Sequence, residues 1–215
     1  MPPHSSADAA ASTIEGAELG VRPRRWAAWM LARLGWRMSF AAPPGPRVLV
    51  VVYPHTSNWD FPLGILARFA SGWPIHWIGK HSMFRGPLRP LFLGWGGIPI
   101  DRSRPGGFIE GMVEAFSSRP VMIVAIAPEG TRSHVNCWKS GFYRIALAAG
   151  VPVGLGFIDY ASRSMGILEY INLSGDSAAD MARIRAAYAG KGGLRPEHAG
   201  QIRLADEAGA PRDAP

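Results

Sequence analysis

"VLVVVYPHTSNWDFP", residues 48–62, changes character within a few positions. Val48–Val52 is an unbroken apolar run, mostly β-branched, the composition of a strand covered on both faces of a sheet. Pro54 ends it, and His55, Thr56, Ser57, Asn58 and Asp60 follow before a helical pattern begins. A buried strand that ends in polar and titratable residues predicts a sheet whose chemistry lies at its strand ends.

Outward from this stretch, strand-like runs recur at 75–79, 97–100, 120–126, 151–158 and 166–172. Helical patterns separate them, at about 58–71, 83–93, 106–118, 140–149 and 176–189. Alternation of this kind predicts an α/β fold: one domain over 45–190 with a mainly parallel central sheet flanked by helices, preceded by an N-terminal amphipathic helix. "VMIVAIA" (121–127) and "VPVGLGFI" (151–158) are apolar at every position, as strands buried on both faces should be. Residues 1–20 are small and polar without period and are expected to be a disordered tail. Residues 191–215 read as a loose C-terminal tail.

The single cysteine, Cys137, excludes an internal disulfide framework and fits a reducing compartment. No signal peptide is visible in the first eighteen residues. The net charge of +7 is unevenly placed: residues 19–105 hold twelve Arg or Lys against Asp60 and Asp101 alone. That half of the chain attracts anions, whether substrate phosphate or a lipid surface. No RNA-recognition or helix-turn-helix pattern accompanies the charge, so nucleic acid is not an expected partner. Within 22–40, "RPRRWAAWMLARLGWRMSF", Trp26, Trp29, Met30, Leu34 and Trp36 recur at roughly helical spacing, with Arg25, Arg33 and Arg37 on another side. Two readings fit: a helix capping the domain through its tryptophans, or an interfacial membrane anchor, with indoles at headgroup level and guanidinium groups on lipid phosphates. The second places the protein at the cytoplasmic face of the membrane, peripheral or monotopic.

Three strand ends carry the chemistry: "PHTSNWD" (54–60), "DRSRP" (101–105) and "APEGTRS" (127–133). If the sheet is parallel there, His55, Asp60, Arg102, Glu129, Gly130, Thr131 and Arg132 share one edge. Lys80, after the 75–79 strand, joins that edge as a phosphate or headgroup contact, or is a solvated lysine. On an ideal helix, residues five apart point about 140° away from each other. His55 and Asp60 therefore meet only if His55 lies in the turn and Asp60 in the first helical turn, with Ser57 or Asn58 as N-cap. Asp60 then accepts from one imidazole nitrogen and leaves the other basic. Trp59 is expected to pack beneath that turn. Ser57 lacks the G-x-S-x-G setting of an activated serine, and Cys137 has no histidine nearer in sequence than His134. The simplest use of the pair is to deprotonate a hydroxyl brought by a substrate.

These residues resemble a known family. "HTSNWD" is similar to the His-x4-Asp motif of the glycerolipid O-acyltransferases, the 1-acylglycerol-3-phosphate acyltransferase group. "GGIPIDRS", "APEGTRS" and "GVPVGLGFIDY" resemble that family's second, third and fourth blocks, in order, over roughly residues 45–160. The resemblance implies transfer of a fatty acyl group from a thioester, acyl-CoA or acyl carrier protein, to the hydroxyl of a lysolipid acceptor at a membrane surface. Carried onto this chain, His55 is the general base and Asp60 its orienting partner. Arg102 binds the acceptor phosphate, and Glu129, Gly130, Thr131 and Arg132 complete the acceptor site. Neither a cofactor nor a metal is implied. Backbone N–H groups of the glycine-containing loop are suitable oxyanion donors. Other readings stay open: another hydroxyl acceptor of the same chemistry (a lyso-aminolipid, a glycolipid or a secondary metabolite), a thioesterase, or a non-enzymatic basic membrane-binding domain.

Overall fold

The structure is a computed structural model that describes residues 19–100 and 107–205. Seven strands form one sheet in the order β1 (Arg37–Phe40), β7 (Ser164–Ile171), β6 (Val153–Asp159), β2 (Arg47–Tyr53), β5 (Met122–Ile126), β3 (Ile75–Lys80), β4 (Gly97–Ile100). Every neighbouring pair is parallel except β6 and β7. The α/β class expected from the alternation is the one observed.

The valine run explains why β2 is central. Leu49 and Val51 face one side of the sheet and Val48 and Val50 the other, all at most 4% exposed. On the first side they pack with Met112 and Phe116 of α4 (Gly107–Ser118), Phe142 and Ile145 of α5 (Gly141–Ala149), and Met181 and Ile184 of α6 (Ser177–Ala187). On the second, Val48 and Val50 pack with Ile123 and Ile167. Beside them Ala27 and Leu31 of α1 (Arg25–Arg33) meet Leu63 and Ala67 of α2 (Asp60–Ser71). Each fully buried aliphatic side chain contributes on the order of 1.5–3 kcal/mol.

A buried carboxylate pins the far side of this core. Asp180, 1% exposed, accepts from the Tyr143 hydroxyl at 2.7 Å and from the backbone N–H of Ser174 at 2.9 Å. Burial works against its charge, but these donors outweigh it and hold the carboxyl below its ordinary range. The stability it adds is present above the unfolded value of 3.8 and is lost as pH falls through the lower native value. Asp180→Asn is expected to cost about 1–3 kcal/mol at neutral pH. Denaturant midpoints measured from pH 7 downward should fall less steeply below pH 4 in the variant than in the wild type.

Two expected boundaries move. The helix expected over 22–40 ends at Arg33; Gly35, at φ +76°, turns the chain, and Arg37–Phe40 becomes an edge strand paired with β7. "RMSF" carries a period of two, with Met38 and Phe40 turned to the core, beneath the helical spacing of the tryptophans. The expected loose tail is ordered from 191 to 205: Leu204 is buried and bridges Trp138, and the Trp138 N–H donates to the Arg203 carbonyl at 2.7 Å. Its contacts run largely through backbone groups, which leave no mark on side-chain pattern. The expected helix at 83–93 is also broken, into a single 3-10 turn at His81–Phe84 and α3 (Arg89–Gly94), with Gly86 and Pro87 between them.

Candidate active site

The register places the site. Val51 of β2 lies opposite Ile126 of β5, so His55 and Glu129, four and three residues further on, leave the sheet side by side. Tyr53–Pro54 is a cis peptide, and the turn after it carries His55 out of the sheet. Asp60 opens α2, and His55 Nδ1 lies 3.1 Å from Asp60 Oδ2. The imidazole is 19% exposed and the carboxylate 2%. The Ser57 N–H donates to the same carboxylate oxygen at 2.9 Å, and Ser57 Oγ accepts from the Trp59 N–H at 3.1 Å. Ser57 thus closes the turn without being the helix N-cap, which is Trp59. With Nδ1–H directed at Asp60, Nε2 is the basic nitrogen.

Glu129 borders the cleft but offers it almost no surface. It is 1% exposed and spans two segments: Oε2 accepts from the His55 backbone N–H at 2.7 Å, and Oε1 from the Gly200 N–H at 2.6 Å. Burial pushes its carboxyl up, against the pull of these two N–H groups. Expected as part of the acceptor site, Glu129 instead fixes the backbone of the histidine. The loop after it is tight: Gly130 sits at φ +68°, and a Cβ there would lie 2.9 Å from Lys139 Cε. The Gly130 N–H is taken by the Ala127 carbonyl at 3.1 Å, so this glycine does not offer a ready oxyanion donor. Thr131 and Arg132 are exposed; Thr131 Oγ1 accepts from the Ser133 N–H at 3.3 Å, and the Arg132 carbonyl lies 3.1 Å from His198 Nδ1.

These residues open on a cleft of about 1840 Å³, larger than the common range of small-molecule pockets. His55, Asp60, Lys80, Gly130, Thr131 and Arg132 all line it. One wall is apolar and aromatic: Phe61 of α2 stacks edge-on against Trp77 of β3, 4.7 Å between ring centroids. Arg102 lies outside the described residues. Trp59 does not pack beneath the turn; it is 66% exposed.

Sequence reasoning missed three partners. Tyr160, directly after β6, donates its hydroxyl to Asp60 Oδ1 at 2.7 Å. Thr56, 1% exposed, accepts from the Arg195 N–H at 3.2 Å, and Gly193 passes so close that a Cβ would lie 2.3 Å from Thr56 Oγ1. Gly200 holds Glu129. The rule that found the other loops would have found Tyr160, since "DY" ends a strand at the same sheet edge.

The acyltransferase family model matches residues 42–154, more than half of the 215-residue chain. The chain belongs to the acyltransferase family. It is an enzyme of acyl transfer, and the matched segment contains the His55 turn and the Glu129 loop. Among solved structures, the chain is similar to the 1-acyl-sn-glycerophosphate acyltransferase PlsC from Thermotoga maritima. The TM-score is 0.53 at 18% identity, covering 76% of each chain. That likeness establishes a shared acyltransferase fold. No curated protein matches this sequence.

Proposed function

We propose that this acyltransferase moves a fatty acyl group from an acyl thioester to the hydroxyl of a lysophospholipid, with 1-acylglycerol-3-phosphate as acceptor and phosphatidic acid as product. The observation that carries the reading is the His55–Asp60 pair, 3.1 Å apart, opening on a cleft with an aromatic wall and a basic rim. His55 Nε2 takes the proton of the acceptor hydroxyl as its oxygen attacks the thioester carbonyl. The tetrahedral intermediate then expels the thiolate, and the imidazolium returns the proton to sulfur. No acyl-enzyme is needed, because the acceptor hydroxyl, once deprotonated, attacks the thioester carbonyl directly. Lys80 and Arg132 suit a phosphorylated acceptor, and Arg102 adds a third cation by its place in the sequence. The donor is acyl-CoA or acyl carrier protein. Purified protein and His55→Ala, incubated with labelled acyl-CoA or acyl carrier protein and a panel of lysolipids, test this reading. Transfer to a neutral hydroxyl in preference to lysophosphatidate would redirect the acceptor assignment.

The place of action in this proposal is the cytoplasmic membrane surface. Trp26 (51% exposed), Trp29 (64%) and Leu34 project outward from the α1 segment, while Ala27 and Leu31 turn inward. Trp59 and, around α3, Leu88, Leu91 and Leu93 are exposed as well. Among the described residues no helix is long and apolar enough to cross a membrane. Binding to vesicles containing phosphatidylglycerol should fall at least tenfold, on the order of 1.4 kcal/mol, in Trp26→Ser/Trp29→Ser, and should weaken with salt. Equal sedimentation of the variant and wild type with such vesicles would remove α1 as the anchor.

A further inference from the structure

The carboxylate beside His55 is held from both ends. Oδ2 faces the imidazole and takes the Ser57 N–H, while Oδ1 takes the hydroxyl of Tyr160 at 2.7 Å. Tyr160 is itself fixed. Its N–H donates to the Gly192 carbonyl at 3.0 Å, and its ring meets Trp36 edge-to-face, 5.1 Å between centroids at 88°.

Other half-buried or buried tyrosines show what a purely structural hydroxyl does here. Tyr170 donates to the Ala41 carbonyl, and Tyr188 to the carbonyls of Val51 and Gly156. Tyr143 does donate to a carboxylate, Asp180, but that carboxylate otherwise takes donors from Ser174 and Gly175. Tyr160 alone among these four spends its proton on the partner of the cleft histidine. Burial, with Asp60 adding to it, pushes the Tyr160 hydroxyl up, so it stays a neutral donor throughout the working range.

We propose that Tyr160 is a positioning residue for acyl transfer: its hydroxyl fixes Asp60, and through it the His55 imidazole, while Trp36 holds the tyrosine ring. The proposal rests on the acyl-transfer reading above. It also gives the N-terminal segment a route to the base, since Trp36 follows α1 directly.

The sign of the effect follows from charge. A phenol O–H draws electron density from Asp60; without it the carboxylate concentrates its charge on the imidazole and favours the imidazolium. Among the described residues, the Glu129 carboxylate from the loop after β5 has a charge that reaches both His55 and Asp60, and Arg68, Lys80, Arg132, His134 and Lys139 line the same cleft. None of these changes when the hydroxyl is removed.

Tyr160→Phe keeps the ring against Trp36 and deletes the hydroxyl, which donates to Asp60 and accepts from the Ser57 side chain. Its kcat should fall about tenfold with KM for both substrates within about twofold, because orientation rather than binding is lost. The acid limb of its pH–kcat/KM profile should move to higher pH by about half a unit. In protein carrying ¹⁵N-histidine, without substrate, the His55 Nδ1–H resonance should move as well. Trp36→Ala should show a smaller loss of kcat. If Tyr160→Phe folds poorly, 3-fluorotyrosine at position 160 gives the complementary test: a stronger donor of the same shape, moving the acid limb to lower pH. Wild-type kcat and an unmoved acid limb in Tyr160→Phe would overturn the proposal, and so would a lower kcat with limb and resonance both unmoved. A resonance moved by Tyr160→Phe, where the wild type transfers no acyl group, would uphold the hydroxyl's hold on the pair and remove the acyl-transfer reading beneath it.

Discussion

His55→Ala should transfer acyl groups about a hundred- to ten-thousandfold more slowly than the wild type while keeping its thermal midpoint within a few degrees. The imidazole lines the cleft with its Nδ1 against Asp60, and a positioned general base is worth about 10²–10⁴ in rate. Its loss leaves binding and orientation but nothing to take the hydroxyl proton. The fold should tolerate the change, because the turn is held by the His55 backbone N–H on Glu129 and by Ser57 on Asp60, neither of which involves the ring. Asp60→Asn should be nearly as severe. An amide at this position either turns its NH₂ toward Nδ1 and the Ser57 N–H, reversing the tautomer and losing that donor, or turns it toward Tyr160 and gives up the tyrosine's hydrogen bond. Single-turnover rates with a labelled acyl thioester measure both. Activity in His55→Ala comparable to wild type would end the base assignment, whatever the acceptor.

Glu129→Ala should fail for a different reason, in stability and rate together. Removing the carboxylate leaves the His55 N–H and the Gly200 N–H without their acceptor in a buried site, at about 1–3 kcal/mol for each unpaired group. The histidine then loses the contact that fixes its backbone, and a displacement on the order of 1 Å at a base costs about a hundredfold in rate. Glu129→Gln, with one acceptor oxygen in place of two, should lie between. Urea midpoints and kcat for the three proteins separate the effects, since a pure folding defect would vanish when rates are referred to the folded fraction. The pH dependence has a definite sign. Burial raises the native carboxyl, so the stability associated with its proton is present below the unfolded value of 4.5 and is lost as pH rises through the native one. Glu129→Gln should lack that loss. A variant with wild-type kcat per folded molecule would make Glu129 a purely structural residue.

The two predictions rest on residues that differ in how they could be found. His55 and Asp60 were legible because a run of valines announces a buried strand, and a histidine with a carboxylate just past its end has few structural uses. The Glu129 loop was legible as a site element, but the direction of its side chain was not. A carboxylate in a Gly-Thr-Arg setting reads as a ligand contact until the coordinates turn it inward onto two backbone N–H groups. Tyr160 was within reach of the same strand-end rule. Gly193 and Gly200 were not, because their contribution is a backbone N–H or the absence of a Cβ, which any loop of small residues could supply. The α1–β1 boundary was misplaced for a related reason: four tryptophan and leucine positions fit a helix, and the short two-residue period of "RMSF" was hidden beneath them.

The order of hydrophobic runs and punctuating residues determined by itself that this chain builds a parallel α/β sheet with polar loops at one edge, since burial fixes strand and helix periods locally. Which side chains meet there was decided only in three dimensions. Strand register sets His55 beside Glu129, and a late segment returns to donate the Gly200 N–H. Those contacts join residues more than seventy positions apart through backbone groups, and no local pattern records a hydrogen bond that every residue type but proline can make.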